Sequence, residues 1–395
     1  MEFLVMSESF SIHADSLREL LSRLLKFDTT SRESNLELMM FIKEYLEEQG
    51  VDSTLIFNRE HTKANLYARL GPMIDGGVML SGHTDVVPVD GQKWSYPPFQ
   101  LTEVDGKYYG RGSTDMKGFI ACVLAAVPQF QKSPLRMPLH LAFSYDEEVG
   151  CLGVRSLIEH IKAATDKPMM CIVGEPTEMK PVFGHKGKVA MRCRVEGHAC
   201  HSAYAPEGVN AIEYAAKVVN KVSELAEELV EVQDKRFNPP YSTMQTGIIQ
   251  GGSALNIVPD FCYFDIEMRH LPSIDPNATF NALEQYTSQT LSPKMQAVYP
   301  DSSICFESIS SYPSLLTDPR SEFAQLVSDW CQSDEFDTVA FGTEGGLFDE
   351  MGIATIVCGP GSMAQGHKPD EFVTIEQLNQ CCQMLASVKA WMQQN

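Results

Sequence analysis

Short apolar runs, each delivering a carboxylate or an imidazole just past its end, constrain this chain more than any other feature. The first is Val78-Met79-Leu80, followed by Ser81-Gly82-His83-Thr84-Asp85. Residues 139–144 lead into Glu147 and Glu148, and residues 169–174 lead into Glu175. Runs this short and this apolar fit strands buried on both faces, as in a parallel sheet covered by helices. Residues 119–127, apolar nearly all round, supply one buried helix, and Asp115 stands just ahead of it. Strand and helix alternate up to Gly174, so an α/β domain is expected, its largely parallel sheet flanked by helices. Gly82 is read as the turn that closes the first strand. Open α/β sheets bind ligands beyond the carboxyl ends of their strands. Acids and histidines gathered there point to a metal centre.

The 395 residues exceed one ordinary core, so two domains are expected. Fifty-two acidic against 31 basic residues leave a net charge of −21, which disfavours nucleic acid and anionic membranes as partners. The eleven cysteines show no paired CxxC spacing, which fits free thiols in a reducing compartment better than a disulfide framework. Residues 1–8 lack the basic start and the long apolar stretch of a leader. No apolar run approaches membrane-spanning length. A cytoplasmic protein is the expectation.

Along the chain, Ser16-Leu17-Arg18-Glu19 has the form of a capping box opening a helix, and a second helix over 35–49 stops at Gly50. Strands are expected at 54–57 and 65–70. After Glu175 the pattern changes to strand 188–195, helix 209–230, strand 243–250, strand 261–269, helix 277–291 and strand 304–306. Residues 261–269 alternate apolar and polar cleanly, the mark of a sheet with one covered face. This βαββαβ order is the ferredoxin-like arrangement, and residues 184–308 are read as an inserted α+β domain. The first domain, residues 1–183 and 309–395, then resumes with a helix at 321–331, strands at 338–341 and 355–358, and a last helix capped by Thr374. The return brings His367, behind a glycine-rich loop, back to the first domain.

His83, Asp115, Glu148, Glu175 and His367 form a nitrogen and oxygen donor set suited to zinc, cobalt or manganese. Five donors are too few for two closed sites unless one is shared. Asp115 can bridge two ions about 3.5–4 Å apart, which leaves one histidine and one glutamate for each, with positions open for water. Glu147 and Glu148 are taken as neighbours on an extended segment with side chains to opposite faces. One of them is then a ligand and the other a general base. His140 and His160 fit structural or surface positions. Cys200 beside His201 lacks a third orienting group for nucleophilic catalysis, and Gly110–Gly112 lacks the rest of a phosphate loop.

Ser81-Gly82-His83-Thr84-Asp85-Val86-Val87-Pro88, Gly110-Arg111-Gly112-Ser113-Thr114-Asp115-Met116-Lys117-Gly118, Asp146-Glu147-Glu148, Gly174-Glu175-Pro176-Thr177 and the His367 segment occur in one order. Together they resemble the aminoacylase/carboxypeptidase-G family of dimetal amidohydrolases, over essentially the whole chain. The resemblance implies two divalent metal ions, Zn2+ or else Co2+, acting on the amide of a small-molecule N-acyl amino acid. His83 and Glu175 would hold one ion, Glu148 and His367 the other, and Asp115 both. Glu147 would be the general base, Asp85 would orient His83, and the peptide after Asp115 would be cis. The insertion resembles the family's lid and dimerisation domain, which implies a homodimer. There His201 would polarise the scissile carbonyl, Asn256 would contact substrate and Arg269 would bind its α-carboxylate. Ala205 adds a residue to the usual spacing after His201. Gly184-His185-Lys186-Gly187 and Gly342-Thr343-Glu344-Gly345 resemble a branch whose substrate ends in an ammonium, and Glu344 is the candidate acceptor for it. Another N-acyl-amino-acid or dipeptide hydrolase is the alternative, and a non-catalytic binding protein of the same fold is the reading furthest from it.

Overall fold

The computed structural model describes residue 10, residues 12–333, residue 335 and residues 337–395. Residues 1–8, read as lacking a leader, lie outside them. The chain forms two compact units: Met1–Gly184, Leu315–Asp337 and Thr343–Asn395 in the first, His185–Ser314 and Thr338–Gly342 in the second.

In the first unit a sheet runs in the order β1 (Ser53–Phe57), β2 (Ala64–Leu70), β6 (Leu139–Ser144), β3 (Val78–His83), β7 (Met170–Val173), β15 (Ala354–Val357), β8 (Val182–His185), β13 (Leu315–Leu316). Its centre, β6-β3-β7-β15, is parallel, while β1, β2 and β8 join antiparallel. Every residue of β3, β6 and β7 is buried, which is why these segments read as unbroken apolar runs. The central strands share one direction, so their carboxyl ends fall along one edge, with His83 level with Ser144.

Helix α3 (Lys117–Gln131) is buried from Lys117 to Val127 and packs between α1 (Ala14–Lys26) and α10 (Ile375–Gln394). The other helices of this unit are α2 (Leu36–Glu48), α4 (Val154–Ala163), α8 (Glu322–Cys331) and α9 (Gly345–Glu350). A small sheet, β16-β5-β4, joins Phe372–Thr374, Lys107–Tyr109 and Thr102–Val104. Strand β14 (Asp337–Val339) is shorter than the 338–341 expected.

Two local expectations are corrected. Helix α1 begins at Ala14, so Ser16 lies within it, and the N-cap is His13 without a side-chain bond. The burial of Leu17, Leu20, Leu21, Leu24 and Leu25 is unaffected by where the first turn starts. Gly82 continues β3 instead of turning. Its missing side chain leaves room for Met116, whose Cε would lie 2.9 Å from a Cβ there.

The second unit is a βαββαβ fold of β9 (Gly187–Glu196), α5 (Ala211–Leu229), β10 (Thr243–Gly251), β11 (Phe261–His270), α6 (Pro276–Tyr286) and β12 (Ser303–Tyr312). Its sheet order is β10-β11-β9-β12, all antiparallel. A π turn, Thr287–Leu291, and α7 (Ser292–Gln296) continue from α6 where one helix was expected. Cys262, Phe264, Ile266 and Met268 of β11 are buried in the core with α5, as the alternation requires. The unit runs past residue 308 because β12 continues to Tyr312.

No described helix is long and apolar enough to cross a membrane. All eleven cysteines are free thiols.

His140 of β6 is fully buried between the Tyr67 hydroxyl at 2.6 Å and the Gly76 carbonyl at 3.1 Å. Burial lowers its pKa from 6.5 to about 4, with Arg69 adding to this and the Gly76 carbonyl opposing it. Between those pH values the unfolded chain binds a proton that the folded chain refuses. This stability is present above pH 6.5 and is lost as pH falls toward 4. We expect wild type to lose about 2 kcal/mol more than His140→Gln between pH 7 and pH 5. Denaturant midpoints of both proteins at the two pH values check it, and equal losses refute it.

Candidate metal centre

Each predicted donor of the first unit is delivered by a strand end or by the loop after it. His83 is the last residue of β3, and its Nδ1 lies 2.9 Å from the Asp85 carbonyl. A proton on Nδ1 donates to that carbonyl and leaves the Nε2 lone pair facing inward, the tautomer a metal ligand needs. Nε2 lies 2.9 Å from Asp115 Oδ1 and 3.6 Å from Glu175 Oε1. Asp115 sits ahead of α3, and its peptide with Met116 is cis. The other Asp115 oxygen, Oδ2, lies 3.2 Å from His367 Nε2. That nitrogen is also 3.1 Å from Glu148.

Two triads result, His83-Asp115-Glu175 and Asp115-Glu148-His367, each with ligand atoms within 4.8 Å of one another. Asp115 belongs to both and turns one oxygen to each imidazole. The donors fit a pair of divalent cations: nitrogen and carboxylate oxygen only, no thiolate, with buried Asp115 and Glu175 and partly buried Glu148 gathered around two imidazoles.

The electrostatics express that crowding. Burial, with Asp115 and then Glu147 and Glu148 adding, pushes the Glu175 carboxyl well above its usual range against the opposing pull of His83. Burial and Asp115 push Glu148 up to about 7. His367 rises to about 10 through its bonds to Asp115 and Glu148. Asp115 is lowered despite burial because both imidazoles bond to it.

Glu147 and Glu148 are not on an extended segment, which corrects the expectation. They open a turn in which the Gly150 and Cys151 amides both donate to the Glu147 carbonyl at 2.8 Å. Asp85 explains the turn. Its Oδ1 accepts the Glu147 amide at 3.1 Å, and its Oδ2 accepts the Glu148 amide at 3.3 Å and the Ser31 hydroxyl at 2.7 Å. The two glutamates still diverge, Glu148 toward His367 and Glu147 toward the Cys151 thiol, which donates to it at 3.4 Å. Burial holds Glu147 well above the carboxylate range, with Glu148, Glu344 and Asp85 adding and His83 opposing. The Asp85 carbonyl lies nearer His83 Nδ1, at 2.9 Å, than its carboxylate does, at 3.5 Å, and that carboxylate also accepts from the glutamate turn. Ser31 was missed in the sequence because only the fold brings it here.

Glu344 precedes α9 and is 1% exposed. Both of its oxygens are buried without hydrogen-bond partners within 3.5 Å, beside the equally unpartnered Ser81 and Ser144 hydroxyls. Burial pushes it up to about 7.

In the second unit, His201 caps a short 3-10 helix, Ser202–Glu207, which contains Ala205. Its Nδ1 accepts the Ala203 amide at 3.1 Å, so a neutral ring carries its proton at Nε2, and the residue is exposed. Asn256 is exposed next to it, and its carbonyl accepts the Ser202 amide at 3.0 Å. Arg269 of β11 donates through Nε to Glu267 at 2.9 Å and through Nη1 to the Tyr312 hydroxyl at 2.6 Å.

Known proteins resemble the chain along its length. The family model of peptidase family M20/M25/M40 matches residues 79–389. Acetylornithine deacetylase of Pasteurella multocida (strain Pm70) is 34% identical over 367 residues, which cover 90% of this chain and 91% of that protein. Among solved structures, an M20 family metallo-carboxypeptidase from Sulfolobus solfataricus superposes with a TM-score of 0.76 at 18% identity, covering 96% of this chain and 100% of that one. A dinuclear metal binding peptidase of the M20 family from Bacillus subtilis does so with a TM-score of 0.66 at 15% identity, covering 96% and 98%.

Asp85→Ala removes the acceptor for two amides and a hydroxyl at once. Metal affinity is expected to fall about 10- to 100-fold, the usual cost of losing such a supporting partner. Titration of the metal-free protein with Co2+ checks this, and unchanged affinity would show that the turn holds its shape alone.

Proposed function

Because the chain belongs to peptidase family M20/M25/M40, we propose that this metal-dependent amidohydrolase cleaves N2-acetyl-L-ornithine to L-ornithine and acetate in the cytoplasm, a step toward arginine. The observation that carries the reading is Asp115 placed between two imidazole-glutamate pairs, with Glu147 beside them. The substrate follows the name of the relative that is 34% identical over nine-tenths of the chain.

His83, Glu175 and Asp115 would hold one divalent cation, and Glu148, His367 and Asp115 the other, with Zn2+ favoured by the imidazole-carboxylate donors and Co2+ able to replace it. Bound there, the ions supply Lewis-acid polarisation of the scissile carbonyl and acidify the attacking water. Glu147 takes the proton of that water and passes it to the leaving amine, a task suited to a carboxyl held above its usual range. His201 is assigned as donor to the developing oxyanion through its Nε2 proton. Arg269 is assigned to the α-carboxylate and Asn256 to a further polar contact. We also assign pairing with a second copy to the second unit, whose edge strand β10 leaves Ile248 and Ile249 exposed.

One observation favours a second reading, a related hydrolase acting on N-acyl amino acids with uncharged side chains. The carboxylate expected to meet the ornithine ammonium, Glu344, is buried.

Two measurements follow. Glu147→Gln should keep both metals and lose roughly 10²–10⁴ in kcat, since the amide keeps the shape but takes no proton. Near-normal turnover of the metal-loaded variant would remove Glu147 from this role. A panel comparing N2-acetylornithine with N-acetylmethionine should favour the former by about ten- to a hundredfold in kcat/KM, the worth of one charge-assisted contact. A preference for N-acetylmethionine would select the second reading.

A further inference from the structure

His367 differs from the other donors in how it is held. His83 belongs to a central strand and Glu175 follows one, but His367 lies in a loop, with its side chain 46% exposed and a left-handed backbone at φ 62°. A non-glycine residue keeps that conformation only where its surroundings enforce it.

Its backbone meets a polar chain that starts at two buried residues and that no activity so far described uses. Glu371 and Arg111 are each 1% exposed and pair at 2.7 Å through Oε2 and Nη1. The second Glu371 oxygen, Oε1, accepts the amides of Thr114 at 2.9 Å and Asp115 at 3.1 Å. Arg111 continues outward: Nη1 reaches the Lys368 carbonyl at 3.3 Å, and Nη2 reaches Gln92 Oε1 at 2.6 Å. Trp94 covers the guanidinium at 5.0 Å and donates from Nε1 to the same Gln92 oxygen at 3.1 Å. Gln92 closes the circuit by donating from Nε2 to the His367 carbonyl at 3.0 Å. One unbroken path thus runs from the Asp115 amide, through Glu371, Arg111 and Gln92, to the His367 carbonyl.

We propose that Glu371, Arg111 and Gln92 are positioning residues that set the Asp115-Glu148-His367 triad, with Gln92 acting on His367 alone. The proposal rests on the metal reading above. The planar guanidinium gives the path its shape, because it presents donors in fixed directions to Glu371, Lys368 and Gln92 together. Selectivity belongs to Gln92, whose bond is to His367, whereas Glu371 bonds the amide of Asp115, which serves both triads. A Gln92 that merely stabilised the fold would weaken both triads together or neither.

Gln92→Glu is the sharpest test. The carboxylate keeps an acceptor for Arg111 and Trp94 but loses the donor to His367. Gln92 is half-buried, so the variant is not a core substitution, and Gln92→Ala provides a second one. Metal-free wild type and both variants are titrated with Co2+ by calorimetry, with bound metal counted by elemental analysis and folding followed by thermal melting. Wild type should bind two ions in two steps. In both variants one step should weaken about 10- to 100-fold, the range for partners of this kind, while the other stays within about twofold. Glu371→Ala, which also frees the Asp115 amide, should weaken both steps. Wild-type-like binding by Gln92→Glu, or equal weakening of the two steps in it, would overturn the proposal. Binding of fewer than two ions by wild type would instead overturn the metal reading on which it rests.

Discussion

Everything at this site depends on one carboxylate shared between two imidazoles. Asp115 turns one oxygen to His83 at 2.9 Å and the other to His367 at 3.2 Å. A side chain with both oxygens committed in different directions has little freedom left, so its backbone must be correct before either contact can form. That explains why the Asp115 amide is itself bonded, to buried Glu371. It also explains why the helix that follows is buried from Lys117 to Val127 instead of lying on the surface.

The second constraint is electrostatic. Asp115, Glu148 and Glu175, with Glu147 and Asp85 close by, occupy a volume from which water is largely excluded. The contacts they make are to imidazoles, backbone amides, a hydroxyl and, for Glu147, the Cys151 thiol. Burial still pushes Glu147, Glu148 and Glu175 toward neutrality, as it does Glu344, while Asp115, bonded to both imidazoles, is held below its usual range. The same crowding that is costly without cations becomes a binding site with them, so stability and metal affinity are opposite sides of one arrangement.

How much of this was legible in the sequence depended on whether a residue's role was tied to a strand end. The gathering of His83, Asp115, Glu148, Glu175 and His367 was readable because apolar runs announce strands, and parallel strands collect whatever follows them along one edge. The βαββαβ order was readable for a similar reason, the clean alternation of 261–269. Roles created by turns and distant partners were not readable. Glu147 and Glu148 were placed on an extended segment because the amide-binding work of Asp85 leaves no local pattern. Gly82 was read as a turn because a glycine that makes room for Met116 looks the same as one that bends a chain. Arg111 and Glu371 were visible only as letters within motifs, and their pairing is long-range. The burial of Glu344 has no local signal either, since glycines on both sides are equally compatible with a loop and with the buried helix start found here.

The position of β15 in the first sheet has a consequence for how the molecule is made. It lies between β7 and β8, yet more than the whole second unit separates it from them in the chain. A ribosome therefore releases the self-contained second unit, with its own core and local connections, while the first unit still has a missing central strand. Until residues 354–357 emerge, β7 lacks the neighbour on one side that completes its ladder, and a bare inner strand is a template for wrong pairing. Vectorial synthesis thus finishes the inserted unit first and the surrounding one last. Between the emergence of β7 and that of β15, one side of β7 has no strand to pair with.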